Sequence, residues 1–115
     1  MKVNLKIKLI GEENLDFECV GIKNNNTIKY LENNLVVCLT YINDALVIKR
    51  SNSEYQVTIN LNKNKNTIST YDFVGGNKTF ELNTKTTKLV ITDSKIDVEY
   101  NLEGNEFKFF LEVIE

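Results

Sequence analysis

Apolar and polar residues alternate along almost the whole chain, and no proline interrupts them. Side chains that alternate in this way have the period of two of a half-buried strand, and the 3.6-residue stripe of a helix is missing. Val3, Leu5, Ile7 and Leu9 alternate with Asn4, Lys6 and Lys8. Tyr55, Val57, Ile59 and Leu61 alternate with Gln56, Thr58 and Asn60. Ile96, Val98, Tyr100 and Leu102 alternate with Asp97, Glu99 and Asn101. Without proline, every backbone N–H is free to join a ladder. The pattern predicts an all-β chain.

Short polar breaks separate the runs. Asn33-Asn34, Asn43-Asp44, Gly76-Asn77 and Gly104-Asn105 are two-residue hairpin candidates, because Asn, Asp and Gly tolerate the positive φ that such turns need. Longer polar loops fall at 11–13, 23–26, 51–54 and 62–66. A one-residue slip inverts a strand, so each turn can be checked by what it places opposite what. The Asn33-Asn34 turn sets Tyr30 against Val37. The Asn43-Asp44 turn sets Leu39 against Ile48. The Gly76-Asn77 turn sets Phe73 against Phe80, and the Gly104-Asn105 turn sets Leu102 against Phe107. At the first hairpin, Lys8 faces Asp16 and Lys6 faces Glu18, two outward opposite-charge pairs. Every turn puts apolar residues together on one face. The chain therefore reads as an up-and-down antiparallel meander of about ten strands, forming a closed or partly open barrel. Ten or eleven segments can be counted, and an all-antiparallel closed meander needs an even number; either 80–84 and 88–92 are halves of one bent or bulged strand, or the barrel is not fully closed.

At 115 residues, the chain is expected to be a single domain over 1–115. It is long enough to bury one core without staples. Its formal net charge is −2, with both signs interspersed, and no basic stripe points to nucleic acid or a membrane surface. It has no histidine, which removes imidazole base chemistry and the commonest transition-metal and haem ligand. No Ser or Cys sits beside a plausible base, so a nucleophilic triad is not expected. We expect no enzyme activity, no metal and no cofactor. Cys19 and Cys38 lack metal-ligand spacing, fall on opposite faces and read as unpaired thiols of a cytoplasmic protein. No leader or membrane-spanning run is expected. Every aromatic residue except Phe110 falls on the inward face. Outward Phe110 and Ile114 share a strand and admit a weak homodimer, with a monomer as the alternative.

The register also places charged residues on the apolar face. Glu32 shares the face of Ile28 and Tyr30, and Arg50 shares that of Leu46 and Ile48. Both stand at the same end of the barrel, two strands or about 10 Å apart. Arg50 is the only arginine. Tyr30, Glu32, Arg50 and Tyr55 thus form a candidate small-molecule site, in which the planar fork of Arg50 would receive a carboxylate or phosphate. The plainer reading is a charged pair that fixes the rim. Thr84 joins the candidate site because Ser69, Thr84, Thr67 and Thr86 put hydroxyls on the inward face. These mark either a hydrated cavity or the open end of a filled core.

Five pieces carry a family resemblance by their order and spacing: Phe17…Gly21, Ile28-Lys29-Tyr30-Leu31-Glu32, Ile48-Lys49-Arg50-Ser51, the run from Phe80 to Thr86, and the strand from Ile96 to Leu102. Together they resemble the YwiB-like family, small bacterial proteins of unknown function. A glycine commonly follows the Arg-Ser pair in that family, where this chain has Asn52. The resemblance implies a lipocalin-like (calycin) barrel and no particular activity. By analogy of fold, the expected function is non-enzymatic binding of a small ligand. The alternative is a structural or protein-interaction module with a filled core.

Overall fold

The computed structural model describes residues 1–76 and 78–114. Among them the chain forms β1 (Lys2–Ile10), β2 (Leu15–Asn24), β3 (Thr27–Glu32), β4 (Leu35–Ile42), β5 (Ala45–Ser51), β6 (Tyr55–Asn62), β7 (Asn66–Phe73), β8 (Thr79–Ile91), β9 (Lys95–Leu102) and β10 (Asn105–Ile114). Each strand pairs with the next, and β10 returns to β1, giving a closed antiparallel barrel. No helix of the described residues is long and apolar enough to cross a membrane.

Two turns have the expected register. Asn33 and Asn43 take the left-handed conformation, at φ 55° and 54°. Tyr30 then pairs with Val37, and Leu39 with Ile48. Lys6 and Lys8 face Glu18 and Asp16 as expected. The two glycine turns differ. The β9–β10 turn is Glu103-Gly104, one residue earlier than expected, so Phe107 faces Tyr100 and not Leu102. Glu103 is held at φ 50° by β8: its N–H donates to the Asn83 carbonyl (2.9 Å), and its carboxylate accepts from the Asn83 N–H (2.7 Å). The Gly76-Asn77 turn lies partly outside the described residues, but its flanks pair Tyr71 with Phe80 and Asp72 with Thr79. The connection is therefore longer than two residues, and it contains Gly75 at φ 80°. Both differences shift pairing by two residues, so no side chain changes face.

The segments 80–84 and 88–91 do belong to one strand, the thirteen-residue β8, with Thr92 just beyond its end. A bulge between Thr86 and Lys88 changes its phase, so Thr84 and Thr86 point inward before it and Leu89 after it. Leu5, Ile7, Val37, Leu39, Leu46, Ile48, Leu61, Ile96, Val98 and Leu111 are almost fully buried and fill the barrel. Inward-facing Phe73 and Phe80 remain half exposed, because they stand at the rim.

The wall is uneven in two places. β2 and β3 pair only from Ile22↔Lys29 to Asn24↔Thr27, leaving a seam between Leu15–Gly21 and Tyr30–Glu32. Gly21 sits where they part; a Cβ there would lie 2.8 Å from the Lys29 carbonyl oxygen. β6 and β7 pair only as far as Thr58↔Thr70. Beyond that point, side chains replace the ladder. Ser69 Oγ accepts the Asn60 N–H (3.0 Å), Thr86 Oγ1 accepts the Asn62 N–H (3.2 Å), and the Thr67 hydroxyl donates to the Asn60 carbonyl. Ser69 and Thr84 share a hydrogen bond of 2.7 Å. The buried hydroxyls thus satisfy backbone groups that a parted ladder would orphan.

Candidate functional site

The rim that carries the β1–β2, β3–β4, β5–β6, β7–β8 and β9–β10 connections, here the upper rim, holds the charged pair. Glu32 ends β3, and Arg50 lies near the end of β5, opposite Val37 of β4 and Val57 of β6. Arg50 Nη2 donates to Glu32 Oε2 across β4. Only 4% of the Glu32 side chain and 18% of the Arg50 side chain reach solvent. This is a largely desolvated ion pair, whose members depend on each other far more than surface pairs do. Two polar atoms beside it are buried without a protein hydrogen-bond partner: Glu32 Oε1 and the Tyr30 hydroxyl.

The surrounding phenols register this charge. Burial, reinforced by the Glu32 carboxylate, pushes the Tyr30 hydroxyl far above the ordinary tyrosine range, and Arg50 only partly opposes it. Burial pushes Tyr100 up to about 12, again against Arg50. Both phenols stay protonated at neutral pH, and both remain hydrogen-bond donors. Cys19, on the inward face of β2, has its thiol raised by burial and by Glu32. It is therefore a poor nucleophile. Cys38 pairs with Lys29 and Lys49 on the outer face, and both cysteines are free thiols.

Above the core, Arg50 and aromatic rings enclose a cavity of about 360 Å³ that opens to solvent. Tyr55, Tyr71, Tyr100 and Phe107 line it, with Leu9, Leu35, Val57, Ile59 and Leu102. Tyr55 stacks on Tyr71 (centroids 5.4 Å apart, planes 9° apart), and Tyr100 stacks on Phe107 (5.4 Å, 15°). The loop after Arg50 positions Tyr55. Asn52 Oδ1 accepts the N–H groups of Glu54 (2.8 Å) and Tyr55 (3.0 Å), and the Asn52 N–H donates to the Tyr55 carbonyl (3.0 Å). This Asx turn does locally what a glycine turn would do by conformational freedom.

Residues 5–110 match the family described as a domain of unknown function, DUF1934. The chain belongs to the DUF1934 family. The crystal structure of the ywiB protein from Bacillus subtilis superposes with a TM-score of 0.69, over 99% of this chain and 92% of that one, at 16% identity. At that identity the likeness shows the fold, and the barrel implied by the YwiB-like resemblance is present. No curated protein matches the chain.

Within this DUF1934 barrel, the structure brings Tyr30, Glu32 and Arg50 into one electrostatic cluster and places Arg50 and Tyr55 on the wall of one cavity. Thr84 does not join them. Its hydroxyl bonds Ser69 and the Leu82 carbonyl, and the residue lines a separate depression of about 400 Å³ with Asn66, Thr67 and Asn83. Sequence reasoning missed Tyr71, Tyr100, Phe107 and Leu102 as cavity walls. Their signal was available: all are inward aromatic or aliphatic positions near the same rim as Arg50. Among the described residues, no group of His, Cys, Asp and Glu side chains is arranged to hold a metal ion.

Proposed function

We propose that this DUF1934 barrel is a non-enzymatic binding protein that takes a small organic molecule at its upper rim. The observation that carries this reading is the aromatic-walled cavity of about 360 Å³ with Arg50 on its wall. Its size suits a small ligand, for which sites are typically about 300–1,000 Å³, apolar, and furnished with a few polar groups. The available chemistry favours binding over catalysis. The chain has no imidazole, the Cys19 thiol is held protonated, and the buried Ser69, Thr84 and Thr86 hydroxyls are committed to structural bonds. Two free thiols support a reducing, cytoplasmic setting.

The reading is tested by a fragment screen observed on the protein's amide resonances. The expected hits perturb Tyr55, Tyr71, Tyr100 and Phe107 together. A screen of several hundred fragments with no hit at these residues overturns it. One observation favours the second reading, a protein-interaction module. The barrel is filled below the cavity, and its outer wall exposes Val20, Leu31 and Val36 by 60%, 66% and 46%.

A further inference from the structure

We infer that the upper-rim cavity selects a flat, uncharged aromatic molecule whose polar edge both donates and accepts hydrogen bonds, and rejects the corresponding carboxylate. The inference rests on the reading of the rim as a ligand site and names its chemical class. A lone arginine on a cavity wall is ordinarily a receptor for anions, through its planar fork of five N–H donors. Here the fork is already engaged. Arg50 Nη2 is bonded to Glu32 Oε2, and the pair as a unit carries no net charge. Glu32 itself stands behind Arg50, outside the cavity lining and only 4% exposed, and its Oε1 has no protein donor. An incoming carboxylate brings acceptors only. It would bring a second negative charge to a guanidinium whose charge Glu32 already balances from behind. An amide-like edge avoids that charge: its carbonyl takes the remaining Arg50 donors, and its N–H is favoured by the negative field of Glu32 behind Arg50.

The walls determine the rest of the molecule. The Tyr55–Tyr71 and Tyr100–Phe107 stacks present flat apolar rings, and stacked or edge-on aromatic contacts are favourable beyond their area. The phenol of Tyr100 on the wall, and that of Tyr30 beside Glu32, are kept protonated by burial, so neither adds a negative charge of its own.

The test uses two probes of the same shape, 2-naphthamide and 2-naphthoate, titrated into the full chain and followed by amide chemical shifts. Both probes, the neutral amide and the anionic carboxylate, are examined at neutral pH, at low salt and at 0.5 M NaCl. The expected result is saturable 2-naphthamide binding that perturbs Tyr55, Tyr71, Tyr100 and Phe107. It should be at least tenfold tighter than 2-naphthoate binding at both salt concentrations. Glu32→Gln removes the negative member of the pair and should narrow that preference to less than threefold, through a gain in 2-naphthoate binding. Should this variant fail to fold, the wild-type ratio decides alone. Equal or tighter binding of 2-naphthoate at those residues overturns the inference and leaves the ligand site standing. Failure of 2-naphthamide to bind, in a protein whose rim residues respond to other fragments, also overturns the inference. Failure of every fragment at those residues overturns both readings.

Discussion

Glu32 and Arg50 show how one side chain can fix the worth of another. Removing Arg50 leaves a carboxylate that is 96% buried without its cation, since the Glu32 side chain is only 4% exposed. Losing one partner of a buried pair typically costs about 3–5 kcal/mol, whereas exposed charges matter by about 0.5 kcal/mol. Arg50→Ala is therefore expected to lower the urea-unfolding free energy by about 3 kcal/mol, and Lys49→Ala, on the outer face, by less than about 0.5 kcal/mol. Similar small losses from both would show that the pair is not desolvated. Tyr30 makes the opposite case. Its hydroxyl is buried without a protein partner, so Tyr30→Phe is expected to leave stability unchanged or raise it by about 1 kcal/mol in the same assay. The phenols also predict an alkaline limb. Tyr100 holds its proton up to about 12, while an unfolded tyrosine releases it near 10. Below pH 10 both states are protonated and folding is fully favoured. Between 10 and 12 the unfolded chain loses the proton first, so stability falls as pH rises through that window. The chain has five tyrosines and no tryptophan, so phenolate absorbance reads this directly. Tyr30 and Tyr100 are expected to ionise only with unfolding, and Tyr100→Phe to shift the alkaline midpoint upward. Five phenols titrating together near pH 10 in the folded protein would contradict the burial described.

At the scale of single elements, turn chemistry decides what a sequence discloses. The Asn33-Asn34 and Asn43-Asp44 turns were legible because asparagine supplies its own reason to be left-handed, and the register followed. The glycine turns were less legible because glycine accepts either turn position. Gly104 takes the second, and Glu103 is forced into left-handed geometry by Asn83, a residue twenty positions away. Nothing local announces such a contact. Side-chain facing survived because both errors were of two residues. The parting of β6 from β7 was invisible for a related reason: it is a property of barrel closure, and the hydroxyls that repair it look like ordinary inward threonines and serines. Their role can be measured. Thr86→Val keeps the shape but strips the acceptor from the Asn62 N–H, and is expected to cost about 1–3 kcal/mol. Its neighbour Thr87, whose hydroxyl donates to the exposed Glu99 carbonyl, can be replaced by valine with a change within about 0.5 kcal/mol, because water takes over. Equal costs for the two substitutions would remove the ladder-repair role. The candidate site was half legible. Glu32, Arg50, Tyr30 and Tyr55 follow from parity along their strands, but a cavity depends on how strands tilt and where rings stack, which parity does not specify.

The whole barrel closes through ten ladders of unequal length, and this inequality sets how it opens. β4 is paired along nearly its full length on both sides. β2 is paired to β1 from Leu15 to Ile22 but tied to β3 by only three residue pairs, Ile22↔Lys29 to Asn24↔Thr27. The seam above these pairs is bordered by Phe17, Cys19, Leu31 and Glu32, which line a cleft of about 540 Å³ in the barrel wall. Backbone amides facing the cleft have no cross-strand acceptor, and the free energy needed to expose an amide scales with the structure that must be broken. In native-state hydrogen exchange, amides of Leu15–Gly21 that point toward β3, and those of Tyr30–Glu32 that point toward β2, are expected to exchange at least a hundredfold faster than amides in the middle of β4. The β2 amides directed at β1 should exchange as slowly as the rest of the core. Alternating fast and slow amides along one strand is the distinguishing result, because fraying of the whole β1–β2 hairpin would quicken both sets together. Uniform slow exchange along Leu15–Gly21 would instead mean that the seam is closed in solution. Glu32 stands at the junction, at the seam on one side and against Arg50 on the other. Opening at the seam should therefore involve the charged pair directly, and Arg50→Ala should accelerate exchange at Tyr30–Glu32 more than in β6–β9.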